Sequence, residues 1–272
     1  MSITLEKDLI INVYVPKASL SKFAIDGKMY SDLGALKNNL ISKDGTDYYL
    51  IPVSLIASRA AKTVELEVTL NIDNTDVVGS FAFNIITYSE EIIASGNDKE
   101  IALVKDILSY VRAAYIYFEN SDTEAISRID SIIGKSYDAS NPPALSGGTS
   151  ISTPELIGAT LILNATPTLR FYISGNAASY IFYSGGAALD AQSGSDKIGN
   201  YIDIAIAACD MRNEITYTVN GAQRGSYNVN SYYNFVTTDS AYKTDSALTN
   251  LVARFIRYCE SAESYKSYLS QK

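Results

Sequence analysis

Apolar and polar residues alternate along Leu9-Ile11-Val13-Val15, Val64-Leu66-Val68-Leu70 and Phe81-Phe83-Ile85. A period of two puts every second side chain on the same side of a pleated strand, so these segments read as antiparallel strands with one buried and one wet face. The turn residues agree. Asp44-Gly45 and Asn220-Gly221 suit tight hairpins, and Asp73-Asn74-Thr75-Asp76 occupies the equivalent place between two strands. After Tyr88 and Tyr232 the pattern becomes helical, with a short segment near Ser89 to Ala94 and then a long helix. Asn97 and Asp245 stand where the long helices need N-caps, and Glu100 completes a capping box. A further helix is expected over Thr123 to Ile133. Ser152 or Thr153 as N-cap, with Pro154 at the first helical position, reads as a capped restart.

The pattern occurs twice. LVKDILSYVRAAYIY, from Leu103, and LVARFIRYCESAESY, from Leu251, share Leu, Val, Tyr, Ala and Tyr at the same five relative places. TLEKDLIINVYV, from Thr4, matches ILNATPTLRFYI, from Ile162, so that Leu5, Ile11, Val13 and Tyr14 correspond to Leu163, Leu169, Phe171 and Tyr172. LIPVSLIASRAAKTVELEV, from Leu50, lines up with YIDIAIAACDMRNEITYTV, from Tyr201. The offset between copies changes from block to block, as it does when loops absorb length changes and packed elements do not.

These elements imply an α+β fold of two homologous modules, each an antiparallel β-sandwich-like sheet with C-terminal helices packed on it. The boundaries follow from composition. Residues 1–135 form the first module and 153–272 the second. Between them, 136–152 is rich in Pro, Gly and Ser, with Pro142-Pro143 and Gly147-Gly148, and reads as a linker. Apolar residues make up 47% of the chain, enough for a core in each module. On the first long helix Leu103, Ile107, Tyr110, Ala114 and Tyr117 form one stripe. A stripe of this width is ordinarily core, so it is expected to pack on the strands of its own module rather than to face a partner.

What is missing limits the chemistry. There is no histidine, hence no Ser-His-Asp or Cys-His catalysis within the chain and no imidazole metal ligand. Neither Gly185-Gly186 nor Gly194-Ser195-Asp196-Lys197 has phosphate-loop spacing. The chain is therefore read as non-catalytic, with no catalytic, cofactor-binding or metal-binding residue assigned. Asp73, Asn74 and Asp76, Asp44 and Asp47, and Asp190 and Asp196 carry hard oxygens but lack the EF-hand pattern, and turn formation accounts for them. A formal charge of −8 without a Lys/Arg cluster argues against nucleic acid. No apolar run approaches a membrane span, so membrane insertion is not expected. Cys209 and Cys259 replace Ser58 and Val111 of the first copy; two buried thiols and a disulfide are both compatible with that placement.

Tyrosine dominates the aromatics, 21 against no tryptophan. Its ring offers amphipathic contact area at low entropic cost, which makes Tyr180, Tyr183, Tyr227, Tyr232 and Tyr233 the candidate ligand-binding residues. The absence of tryptophan favours protein over sugar as the ligand. Low-charge strands rich in Tyr, Ser, Asn and Thr, together with the linker, look extracellular. No signal peptide follows Met1, and the chain is read as an excised piece of a longer protein.

The segments Leu161 to Tyr172, Tyr201 to Met211, Tyr227 to Phe235 and Leu251 to Tyr265, with looser counterparts in the first copy, resemble a module repeated in large secreted surface proteins of Gram-positive gut anaerobes. Some proteins of that kind act as adhesins or immunoglobulin-binding superantigens, and others carry the module beside hydrolase domains. The resemblance implies a bacterial cell-surface module that recognises a host protein, with immunoglobulin the most specific candidate. As alternatives it admits a carbohydrate-binding accessory module of a secreted enzyme, or a structural spacer repeat.

Overall fold

A computed structural model describes residues 2–4, 7, 9–18, 20–25, 28–30, 40–118, 122–145 and 154–272. The first half contributes strands β1 (Ser2–Thr4), β2 (Ile10–Pro16), β3 (Leu20–Ile25), β4 (Lys28–Tyr30), β5 (Leu40–Lys43), β6 (Thr46–Ser54), β7 (Val64–Ile72) and β8 (Thr75–Phe83). Helices α1 (Ile85–Ser95), α2 (Asp98–Tyr117), α3 (Thr123–Ile133) and α4 (Tyr137–Ser140) follow. The second half runs β9 (Leu156–Ile162), β10 (Thr168–Ile173), β11 (Tyr180–Ser184), β12 (Ala187–Ala188), β13 (Gln192–Ser195), β14 (Asn200–Ala205), β15 (Ile215–Val219) and β16 (Ala222–Tyr227). It closes with α5 (Val229–Thr238) and α6 (Ser246–Leu269).

Among the described residues the fold is α+β, with four antiparallel four-stranded sheets. One strand order, β1-β2-β6-β5, recurs as β9-β10-β14-β13, and the other, β4-β3-β7-β8, recurs as β12-β11-β15-β16. In the second half the two sheets meet face to face at Phe171 and Phe182, whose rings lie 4.8 Å apart, with Tyr227 edge-on to Phe171 at 5.5 Å. The alternation seen in the sequence appears as burial in β2, where Ile11, Val13 and Val15 face the core. All three expected hairpins turn through consecutive positive φ angles, at Asp44-Gly45, Asp73-Asn74 and Asn220-Gly221. These are residues that tolerate the left-handed region, and the turn matches strand twist.

Three local expectations are corrected. Ile85 does not continue the strand of Phe81 and Phe83. Asn84 accepts the Thr87 N–H at 2.9 Å, and that cap starts α1 at Ile85, earlier than the segment near Ser89 to Ala94. Phe81 is not buried either. Because β8 is the outer strand of its sheet, the face that β7 buries at Leu66 and Val68 runs out to Val77 and Phe81, which are 46% and 47% exposed. Pro154 opens no helix: Pro154 and Glu155 form a turn, and Leu156–Ile162 pairs with β10. The Glu155 carbonyl accepts from Ser174 N–H at 2.9 Å, so sheet pairing has taken the backbone groups a helix would need. Ser152 and Thr153 lie outside the described residues.

The long helices pack on one another. Lys99 meets Ser264, Glu100 meets Tyr265 and Tyr110 meets Phe255, an order that makes α2 and α6 antiparallel. At the centre Tyr110 stacks on Tyr258, 5.9 Å apart and 12° from parallel. These two residues hold the same place in their helices, so the contact is of the self-complementary kind found across a two-fold axis. Leu103, Ile107, Tyr110 and Ala114 of the stripe on α2 are therefore core and Tyr117 is half-buried, but Tyr110 packs on the other half. Ala114 and Ala262 are fully buried and permit the approach. Backbone bonds join the halves a second time, from Leu9 N–H to Ala165 O at 3.1 Å and from Ala208 N–H to Lys7 O at 2.8 Å. One apolar cluster runs through both halves.

The first part of the Pro/Gly/Ser-rich segment is also fixed. Arg254 of α6 donates to the carbonyls of Asp138 and Asn141 at 3.2 and 3.3 Å, and Ala144 N–H donates to Glu260 at 2.6 Å. Residues 146–153 lie outside the described residues.

On the outer face of β10 and β14, Arg170 pairs with Asp203 through two nitrogens and stacks on the Tyr201 ring, 3.5 Å from its centre. Tyr201 lies across Gly194, its partner on β13. A Cβ at Gly194 would come within 2.5 Å of the Tyr201 hydroxyl. Gly194→Ala is expected to push the ring off Arg170 and destabilise the chain by roughly 1–3 kcal/mol. Thermal denaturation checks this, and an unchanged midpoint would refute it.

Candidate functional site

The sequence-derived tyrosines separate by environment. Tyr180 and Tyr227 are buried. The Tyr180 hydroxyl donates to Ser174 O at 2.7 Å, and Tyr227 packs on Phe171, so both serve the core and offer no contact surface. Tyr183 is half-buried on β11, paired with Ala188 across a hairpin turning at Gly185 and Gly186. Beside that turn an open cleft of about 650 Å³ is lined by Ser184, Gly185, Gly186, Asn213, Glu214 and Thr216, without an aromatic face. Tyr233 is half-buried against the core. Tyr232 alone leads to an accessible aromatic cluster.

That cluster draws on both halves. From Tyr232 on α5 the ring of Phe235 is 6.4 Å away, one helical turn on, and Phe235 in turn lies 5.4 Å from Tyr242. Tyr117, at the end of α2, joins from the first half. Its hydroxyl is held above the ordinary tyrosine range chiefly by burial and then by the charge of Asp245 and by Tyr242. Phe118 stands edge-on to Tyr117 at 5.0 Å. Tyr232 is also raised, mainly by burial, against a hydrogen bond with Thr160 of β9 that lowers it, and it feels both Tyr117 and Tyr242. Phe118, Phe235 and Tyr242 are 54%, 41% and 42% exposed, a dense aromatic surface for rings that large.

Local signals position each ring. A capping box between Asn228 and Ser231 starts α5, which orients Tyr232 and Phe235. At its end Asp239 accepts the Ala241 N–H at 2.8 Å, and Asp245 then caps α6 through Leu248 N–H at 2.9 Å. The tight connection between these two aspartates projects Tyr242. Phe118 sits at the C-cap of α2, its N–H returned to Ala114 O at 3.0 Å. Sequence reasoning missed Phe118, Phe235 and Tyr242 because it sought neighbouring tyrosines, whereas Phe118 meets Tyr117 at a helix end and Tyr242 meets Phe235 from the connection between α5 and α6.

A polar cluster lies deeper in the same junction. Asp106 is fully buried and accepts hydrogen bonds from Ser261 and from Tyr137 at 2.8 Å, with Arg257 3.3 Å away. Burial pushes the Asp106 carboxyl above its usual range, opposed by Ser261, Arg257 and Tyr137. The Tyr137 hydroxyl is raised, first by burial and then by Asp106. This carboxylate joins α2, α4 and α6 and has no access to solvent, so it acts as a clasp. Among the described residues no group of three or more Cys, Asp or Glu side chains is arranged to hold a metal ion, and no helix is long and apolar enough to cross a membrane.

No protein-family model matches this sequence, and none of the curated proteins compared with it is similar.

Proposed function

We propose that this chain is a non-catalytic recognition unit of a bacterial cell-surface protein, built from two homologous modules, and that it binds a host protein through the aromatic surface where the halves meet. The duplication is supported by the recurring strand order and by the Tyr110–Tyr258 stack between residues 148 apart. One observation carries the binding reading. Phe118 stands partly exposed beside Tyr117, and Phe235 and Tyr242 beside Tyr232, and aromatic side chains are enriched at protein interfaces. Each ring is anchored by a cap or helix end, so little ordering cost attends binding. Immunoglobulin is the specific partner proposed, on the sequence resemblance to secreted surface proteins.

The test is retention of purified immunoglobulin, and of proteins from mucosal secretions, on the immobilised chain. Phe118→Ser and Phe235→Ser together are expected to weaken binding at least tenfold, since truncating a central aromatic commonly costs about 2 kcal/mol or more. The double variant should still fold with a native circular dichroism spectrum and lose only a little in its unfolding midpoint, because both side chains are partly exposed. Retention on a glycan array with no host protein bound, or binding unaffected by the double variant, would overturn the proposal.

A further inference from the structure

The second half contains a thiol pair at a place where sheet and helix are pinned together. The tight turn Ala208–Asp210 follows β14 and lies against α6. Three ion pairs hold that contact: Lys266 to Asp210 at 2.8 Å, Arg212 to Glu263 at 3.0 Å and Arg212 to Glu260 at 3.8 Å. Their partners flank Cys209 and Cys259 on both elements, with Asp210 next to the first and Glu260 next to the second. Both thiols are buried, at 2% and 0% exposure. Each bears electrostatically on the same neighbourhood: Cys259 is raised by burial, with Arg212, Cys209 and Glu260 acting on it in that order.

The first half makes the same contact without sulfur. Its turn Ala57–Arg59 packs on α2, where the Tyr115 hydroxyl accepts the Ala61 N–H at 3.2 Å. Ser58 and Val111 occupy the places of Cys209 and Cys259. The chain's two cysteines thus sit on the two sides of one turn-to-helix contact, in one half only.

We propose that Cys209 and Cys259 are a disulfide-forming pair, closed by a thiol oxidant such as oxidised glutathione. The Cys209 thiolate attacks one sulfur of the oxidant; the S–S bond of the oxidant breaks, and one glutathione leaves as thiolate and takes a proton. The Cys259 thiolate then attacks the Cys209 sulfur of the mixed disulfide, and the second glutathione leaves in the same way. Two protein thiols are oxidised and one oxidised glutathione is reduced to two thiols. The new bond ties the end of β14 to α6. Because Ala208 N–H on the same turn holds the Lys7 carbonyl, it also secures the seam between the halves.

The experiment refolds the full chain in a glutathione redox buffer, then counts thiols by alkylation in denaturant and maps the linked peptides by mass spectrometry. The proposal expects no alkylatable thiol, loss of the two thiol hydrogens, and one Cys209–Cys259 peptide in a monomer with native circular dichroism. It also expects an unfolding midpoint on the order of 5 °C above that of the reduced chain. That difference should vanish in the Cys209→Ser, Cys259→Ala double variant, and each single variant should retain one cysteine that is alkylated in denaturant. Two alkylatable thiols, a glutathione on each cysteine, an intermolecular bond, or an oxidised chain that has lost its native spectrum would each overturn it.

Discussion

Truncating Phe255 to alanine is expected to lower the unfolding free energy by roughly 3–5 kcal/mol. The ring is fully buried, 5.2 Å from Tyr110 across the helix pair and 6.2 Å from Tyr258 on its own helix. Its removal leaves a cavity between two long helices that three ion-paired or hydrogen-bonded flanks hold apart, at Lys99, Glu100 and Asp106, so the walls relax little. Urea denaturation followed by circular dichroism and tyrosine fluorescence measures the change; the chain has no tryptophan to obscure the latter. Because one apolar cluster runs through both halves, the parent chain should unfold in a single transition. A loss below about 1 kcal/mol, well under the range for a buried Phe, would show that the helices do not pack as described, as would separate transitions for the halves.

Arg257→Met is expected to cost roughly 3 kcal/mol at neutral pH, because it strands the buried Asp106 carboxylate. The sign of its pH dependence follows from the direction of the Asp106 shift. In the folded chain this carboxyl ionises above its ordinary value of 3.8, so between the two values the native state binds more protons than the unfolded state. Its contribution to stability therefore falls as pH rises through that window. Arg257 opposes the shift, so removing it extends the window upward and deepens the loss on the alkaline side. Acidification towards the unfolded carboxyl value should restore much of the lost stability. Adding Asp106→Asn to the variant should flatten the profile, and a deficit that stays constant across this pH range would contradict the assignment.

Much of the local structure was legible because its causes are local. The turns at Asp44-Gly45, Asp73-Asn74 and Asn220-Gly221, the caps at Asn97 and Asp245, and helix α3 all depend on residues within a few places of one another. Where a local signal failed, a distant partner had displaced it. Pro154 carries a helix-start signature, but the strand that follows it finds β10. Phe81 keeps the alternation of a buried strand, but its strand stands at a sheet edge. Tyrosine content pointed towards recognition without locating it, since the same residue type fills the core at Tyr227 and the surface at Tyr242.

The long helices show the division most clearly. Their apolar stripes follow from a period of about 3.6 residues, which a chain carries in its own sequence and which states that a face is buried. It does not state against what. Whether Tyr110 meets strands of its own half or Tyr258 of the other is decided by which arrangement buries both stripes at once while satisfying Asp106, and that requires residues more than a hundred places apart. The same long-range packing brings Tyr117, with Phe118 beside it, within electrostatic reach of Tyr242 and Tyr232, which stand with Phe235 in the second half. By itself the sequence determined the turns and caps, whose causes lie within a few residues; only the tertiary structure decided that the two halves share one apolar cluster, because that packing joins residues more than a hundred places apart.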